Sequence, residues 1–329
     1  MDNKLTVSLS PHIHSRNSID RCMWNVIIAL MPAMAVALWT FGLSALLVIG
    51  VSVAACMLTE GLVDRYLFHR PLTLANGSAI ITGILLGFNL PSILPWWMVV
   101  IGAVVAIGIG KMSFGGLGCN IWNPALVGRV FLLISFPAAM TTWPSDVSSG
   151  LARISAGSGA DASTGATLLA SLNDFNGQFG IDNVDFMDIA IGHMNGSLGE
   201  VGSVAILIGL VYLLLTKVIT WHIPVSMIGS AALFSWAFGG NPLLDIFAGG
   251  LLLGAVFMAT DYVTSPMTRK GQLIYGFMIG FITIVIRRYG SYPEGVSFAI
   301  LLMNSFTPII NRYCRPSLFG RRKTSGAKA

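Results

Sequence analysis

The segment Asp161-Ala162-Ser163-Thr164-Gly165-Ala166-Thr167-Leu168 contains the hydroxyl best placed for covalent modification, that of Thr167. A loop threonine is a weak nucleophile unless a partner enzyme activates it, and such an enzyme needs an exposed, flexible surround. Ser163, Thr164, Gly165 and Ala166 provide small residues on the approach to Thr167. In isolation the four-residue pattern reads as a Gly/Ser/Ala linker. Its position changes the balance, because residues 141–199 form the only long polar stretch in an otherwise apolar chain.

Two other groups of residues have chemical potential. Asp261, Thr264, Ser265 and Thr268 form an oxygen-rich break after an apolar run, with Arg269 and Lys270 just beyond. Oxygen ligands on unwound backbone suit sodium or proton handling, whereas an Asp261 paired with Arg269 or Lys270 would be an ordinary interfacial loop. Glu60, near the end of an apolar run, has the same two readings. Asn120, Asn123 and Arg129 surround an Asn-Pro step. Arg129 suits a phosphate electrostatically, or it neutralises an internal acid while Asn123-Pro124 caps a helix. Cys22, Cys56, Cys119 and Cys314 make no C-x-x-C pair, which argues against a zinc or iron–sulfur site built within this chain. His12 and His14 have no further ligands nearby and read as a polar docking segment.

These residues must be positioned by membrane helices. The 329 residues are 54% hydrophobic and 10% charged, with mean hydropathy +0.76. Soluble domains carry roughly 25% charged residues, so this balance indicates a polytopic all-α membrane protein and excludes ordinary soluble α/β folds. The start, Met1–Val7, lacks a charged-then-apolar signal, so insertion falls to the first span. Ten spans are expected in a single membrane domain over 1–329: about 24–41, 43–62, 77–90, 96–110, 125–140, 201–216, 225–238, 243–260, 272–286 and 296–310. Trp24, Trp39, Trp96, Trp97 and Trp143 fall near their ends, where indoles anchor at the interface. The stretches 72–91 and 223–242 echo each other weakly, each a small-residue helix with a Gly/Asn/Pro ending.

Charge orients the chain. The net charge is +5, and the tail carries Arg312, Arg315, Arg321, Arg322, Lys323 and Lys328 with no acid after Glu294. After a last span such a tail marks the cytoplasmic side in preference to nucleic-acid binding. From Thr141 to Glu200 there is one basic residue, Arg153, against Asp146, Asp161, Asp174, Asp182, Asp185, Asp188 and Glu200. Both termini are therefore expected in the cytoplasm and the 141–199 loop outside, with Arg287 and Arg288 counting against the scheme.

Several motifs together carry a resemblance. They are Ser10-Pro11-His12-Ile13-His14, Met23-Trp24-Asn25 through Met31-Pro32, Phe114–Gly118 before Asn120–Ala125, Ser163–Thr167, and Ala259-Thr260-Asp261-Tyr262-Val263-Thr264-Ser265-Pro266. Over nearly its whole length the chain resembles the RnfD family, the D subunits of Rnf ion-translocating ferredoxin:NAD oxidoreductase complexes. It shares landmarks with the sister family, the B subunits of sodium-translocating NADH:quinone reductases. The resemblance implies FMN attached to Thr167 by a phosphoester through a separate flavin transferase. With a flavin there, the polarity and charge of the 120–129 segment make Asn120, Asn123 and Arg129 candidates for the flavin or phosphate surroundings. It implies a urea-transporter-like fold of inverted five-helix halves, and a second, noncovalent flavin as in the sister family.

On this reading the chain is a translocase component of the prokaryotic cytoplasmic membrane, not catalytic alone. It passes electrons through FMN, coupled to movement of sodium ions or protons, with ferredoxin and NAD handled by other subunits. The rival readings are a urea-transporter-like small-solute channel without redox activity and a structural membrane scaffold.

Overall fold

The structure, a computed structural model, describes residues 18–70, 74–142, 196–290 and 295–315. Among these the secondary structure is helical. Helix α1 spans Ile19–Phe41, its first turn capped by Ser18 Oγ, which accepts from Arg21 N at 3.2 Å. Gly42, with φ +64°, turns the chain directly into α2, Leu43–Leu62, which runs on as a π turn over Val63–Leu67. A 3-10 turn at Leu74–Asn76 leads into α3, Ser78–Phe88, and then α4, Trp96–Gly108. After a 3-10 turn at Met112–Phe114 come α5, Pro124–Ser135, and the short α6, Pro137–Met140.

Beyond the polar stretch lie α7, Ser203–Leu215, α8, His222–Ala237, and α9, Pro242–Phe247. The single turn α10, Leu251–Leu253, continues as a π turn over Gly254–Met258. Two long helices, α11, Arg269–Tyr289, and α12, Val296–Tyr313, complete the described chain. Two starts use the same device: Asn123 Oδ1 accepts from Ala125 N at 3.1 Å and Asn241 Oδ1 from Leu243 N at 3.2 Å, each with proline at the first helical position. Proline lacks only an N–H that would have no helical partner there.

The expected fold class needs correction. Among the described residues four helices are long and apolar enough to cross a membrane: Ile19–Phe41, Leu43–Leu67, Trp96–Phe114 and Arg269–Tyr289. Ten full spans are not present among them, and neither the urea-transporter-like inverted repeat nor a barrel is seen there. The physical reason is interruption of apolar runs that hydropathy treats as continuous. At 1.5 Å per residue α3 is about 16 Å long, roughly half the bilayer's hydrocarbon thickness, and α5 and α7 are scarcely longer. The expected eighth span is broken at Ala248–Gly250, between α9 and α10.

Broken ends inside an apolar layer must have their backbone groups satisfied. Past the end of α3, Phe88 O accepts from Gly199 N at 2.7 Å and Leu90 O from Leu198 N at 3.3 Å. At the end of α9, the Arg287 guanidinium donates to Asp245 O at 2.5 Å and to Ala248 O at 3.3 Å.

Close packing depends on glycine at two crossings. A Cβ at Gly83 would stand 2.5 Å from Val53 Cα, and one at Gly280 2.5 Å from Met227 O. Each glycine belongs to a G-x-x-x-G pair, Gly83 with Gly87 against α2 and Gly276 with Gly280 against α8. Small residues at this spacing bring helix backbones together in lipid, where packing drives association. Leu46, Leu47, Leu58, Ile208, Val211 and Leu215 point outward from the bundle, the disposition of a lipid-facing surface.

Candidate functional site: a polar cavity and a buried arginine network

The starts of α3 and α5, the turn after α4 and the stretch after the Gly254–Met258 π turn surround a cavity of about 110 Å³. Its polar lining comprises Ser78, Thr82, Lys111, Asn120, Asn123 and Asp261, with Thr260 beside them. Lys111 and Glu60, each 2% exposed, form an ion pair with Nζ 2.6 Å from Oε2. The same ammonium donates to Ser78 Oγ at 2.8 Å, and Ser78 Oγ in turn donates to Asn76 Oδ1 at 2.8 Å. Burying an ion pair is tolerated where such extra hydrogen bonds complete it.

Asp261 lies in the irregular stretch between the π turn and α11, outside the spanning helices. Its carboxylate accepts from Val263 N at 3.5 Å and Thr264 Oγ1 at 3.4 Å, and it is hydrogen-bonded by Asn120. Burial pushes its carboxyl above the ordinary carboxylate range, opposed by those hydrogen bonds and by the charge of Lys111. Arg269 and Lys270 are exposed, and neither makes an ion pair with Asp261, so the interfacial-loop pairing is not formed.

A second polar cluster lies within the bundle. Arg129, 4% exposed, donates through Nη1 to Asn89 Oδ1 at 2.7 Å and to Ser297 Oγ at 2.8 Å. Glu200, also buried, supplies the compensating negative charge. Its Oε1 and Arg129 Nη1 flank Gly250, 3.4 and 4.0 Å from where a Cβ would stand. A third cluster joins Asp245 to Arg288 Nη2 at 3.1 Å, to Ser235 Oγ and to Arg287. The two arginines that opposed the charge-based orientation are thus bound to a buried aspartate and to carbonyls at the end of α9.

With the geometry established, comparison with known proteins assigns the chain. The model of the NQR2, RnfD, RnfE family matches residues 6–320. The chain belongs to that family. It is 43% identical over 333 residues to the D subunit of a proton-translocating ferredoxin:NAD(+) oxidoreductase complex from Clostridium ljungdahlii, covering 98% of each chain. It is also 43% identical over 326 residues to the D subunit of a Na(+)-translocating ferredoxin:NAD(+) oxidoreductase complex from Acetobacterium woodii, covering 97% of this chain and 96% of that one. The D subunit of an ion-translocating oxidoreductase complex from Erwinia tasmaniensis is 38% identical over 354 residues, with 96% and 98% covered.

The fold divides the residues singled out in the sequence of this family member. Asn120, Asn123 and Asp261 meet at the cavity, and Glu60 joins them through Lys111. Asn123 also caps α5 and donates from Nδ2 to Met258 O at 3.2 Å. Arg129 belongs to the separate cluster with Asn89 and Ser297. Thr264 is buried behind Asp261, where its carbonyl accepts from Thr307 Oγ1 at 2.8 Å. Ser265 N closes a turn onto Asp261 O at 3.1 Å, and Thr268 caps α11 through Gly271 N at 3.1 Å. Ser163, Thr164, Gly165, Ala166 and Thr167 lie outside the described residues, as do His12, His14 and Trp143. Sequence reading missed Ser78, Asn89, Asp245 and Ser297, and it counted Lys111 and Glu200 only as loop charges. A lone lysine ending a long apolar run was the available signal, because such a charge seldom lacks an internal partner.

Proposed function

We propose that this chain is the D subunit of an Rnf-type ion-translocating electron-transport complex, carrying electrons through FMN joined to Thr167 Oγ by a phosphoester. One observation carries the reading: the family match extends over residues 6–320 and so takes in the Ser163–Thr167 motif within the long polar stretch. Tethering removes the entropy of capturing the flavin for each turnover and holds it near its redox partners. FMN would supply the electron-carrying chemistry, and the chain's own task is to position it and exclude competing oxidants. A flavin transferase makes the attachment, and other membrane and peripheral subunits handle ferredoxin and NAD. Both termini face the cytoplasm and the Thr167 stretch faces outward. The pairing of Arg287 and Arg288 with Asp245 supports that orientation, since neither acts as a free loop charge.

The chain expressed with its flavin transferase is expected to fluoresce as a denatured gel band, and Thr167→Val to be dark. A dark wild-type band, with the transferase active on a known target, would reject the flavoprotein reading and favour a small-solute channel.

Ion movement is coupled at the cavity. Asp261, half-buried at the cavity that Lys111 also lines while paired with Glu60, provides the acidic group for this, and Thr264, Ser265 and Thr268 shape its backbone. Asp261→Asn is expected to lower ion-dependent turnover of the assembled complex by about tenfold or more, as loss of one charge in a low-dielectric site does. Turnover equal to wild type across an ion titration would remove Asp261 from the coupling path.

A further inference from the structure

The end of α11 carries a cation that has only a share of one acid. Arg288 Nη2 donates to Asp245 Oδ2 at 3.1 Å, an oxygen that Ser235 Oγ also uses, while Asp245 Oδ1 faces Arg287 Nη1 at 4.0 Å. A guanidinium presents a fork of several N–H donors. Among the described residues the bond to Asp245 is the one hydrogen bond that Arg288 makes. Its side chain is 25% exposed, against 2% for that of Arg287. A Cβ at Gly240 would overlap Arg288 Nη2, so the glycine leaves the guanidinium its place beyond the end of α8. The neighbouring side chains are aromatic. Trp236 and Tyr289 are each 75% exposed, and Phe238 meets the Tyr289 ring edge-on with centroids 5.9 Å apart. Exposed indole and phenol rings at the end of an apolar span sit at the level of lipid headgroups. From Trp236 an outward stripe follows α8 through Leu233 and the open surface at Gly229 to Val225, the spacing of one helix face.

We propose that Arg288 binds the phosphodiester of an anionic phospholipid of the phosphatidylglycerol type, with an acyl chain of that lipid lying along the Val225–Leu233–Trp236 stripe of α8. The guanidinium fork matches two phosphate oxygens, and its planar geometry makes the pair stronger than a point charge would. Charge complementarity selects the lipid. A phosphatidylglycerol headgroup carries one negative charge and no cation of its own, so it supplies the anion that Arg288 otherwise shares with Arg287. A phosphatidylcholine headgroup brings its own cation and gains less. Arg287 does not compete, because it is buried and donates to Asp245 O and Ala248 O. A flavin phosphodiester on Thr167 would present the same oxygens and the same charge, and the experiment separates the two sources. The inference stands on the membrane class of the chain and on the geometry at Arg288, independently of the flavin and ion-coupling readings.

The test is thermal unfolding of the purified full-length chain in micelles of a neutral detergent, titrated with dioleoylphosphatidylglycerol or with dioleoylphosphatidylcholine. Wild type should show a saturable rise in Tm with phosphatidylglycerol and little with phosphatidylcholine. Arg288→Gln should need about tenfold more phosphatidylglycerol for the same rise, the order expected for losing one charge-assisted forked pair. Gly240→Ala keeps every charge but pushes the guanidinium aside, so it should weaken the response as well. Arg288→Lys should respond between the two. Gly240→Ala and Arg288→Lys keep the test decisive if Arg288→Gln leaves Asp245 too poorly paired to fold. Lys270→Gln, which removes an exposed charge at the other end of α11, should respond as wild type does. Equal responses to the two lipids, a wild-type response in both Arg288→Gln and Gly240→Ala, or a loss in Lys270→Gln as large as that in Arg288→Gln would overturn the proposal. So would a response absent from the flavin-loaded chain and present only in Thr167→Val, which would assign the Arg288 guanidinium to the flavin phosphodiester.

Discussion

Arg129→Leu is expected to destabilise the folded chain by about 3–5 kcal/mol, the range for breaking one side of a buried charged network. Leucine fills much of the volume but replaces none of the bonds. Asn89 Oδ1 and Ser297 Oγ lose a donor that now lies 2.7 and 2.8 Å away, and Glu200 loses its compensating charge. These groups lie where the end of α3, the start of α12 and the Gly250 turn converge. The loss would therefore loosen three breaks at once. The check is the midpoint of thermal unfolding in detergent, with Arg129→Lys as a companion. Lysine keeps the charge without the planar fork, so it should recover part of the stability. Two variants as stable as wild type would show that the network contributes little to holding the broken helices together.

Gly280→Val tests the contact between α8 and α11, the most extensive between helices among the described residues. The first side-chain carbon would stand 2.5 Å from Met227 O and 3.0 Å from Ala231 N, and backbone atoms do not yield as a rotamer does. Ser230 Oγ is nearer still, although a hydroxyl can rotate away. The helices must separate, with a loss of about 1–3 kcal/mol for overpacking and more if the Gly276 contact opens as well. Gly229 has open space around the equivalent point, so Gly229→Ala is the matched control and should leave stability nearly unchanged. A Gly280→Val protein with a wild-type unfolding midpoint would mean that the α8–α11 contact has slack that the distances do not suggest.

Each local rule that depends on neighbours in the chain was legible in the residues themselves. Asn123-Pro124 begins a helix, Gly42 turns α1 into α2, and the glycine-rich 77–90 segment gives a close crossing, whereas Asn241-Pro242, read as the ending of one helix, begins the next. Membrane class followed from composition, and the motif set pointed to the family that comparison then assigned. Helix number was not legible in this way. Hydropathy averages over a window, so a run such as 243–260 scores as continuous even though it breaks at Ala248–Gly250.

Whether a break survives inside the membrane depends on partners supplied from elsewhere in the chain. Arg287 satisfies two carbonyls at the end of α9 from about 40 residues away, and the 198–199 backbone does the same for α3 from more than 100. The candidate site has the same character. Lys111 and Glu60 are 51 positions apart, and Asn89 and Ser297 reach Arg129 across 40 and 168 positions. The sequence by itself determined that this is a membrane protein of the RnfD type, with a Ser-Thr-Gly-Ala-Thr motif in its long polar stretch, because those are properties of composition and short motifs. Only the tertiary structure decided which charges meet, pairing Lys111 with Glu60 and Arg288 with Asp245, because compensation is a matter of distance in space and not of order along the chain.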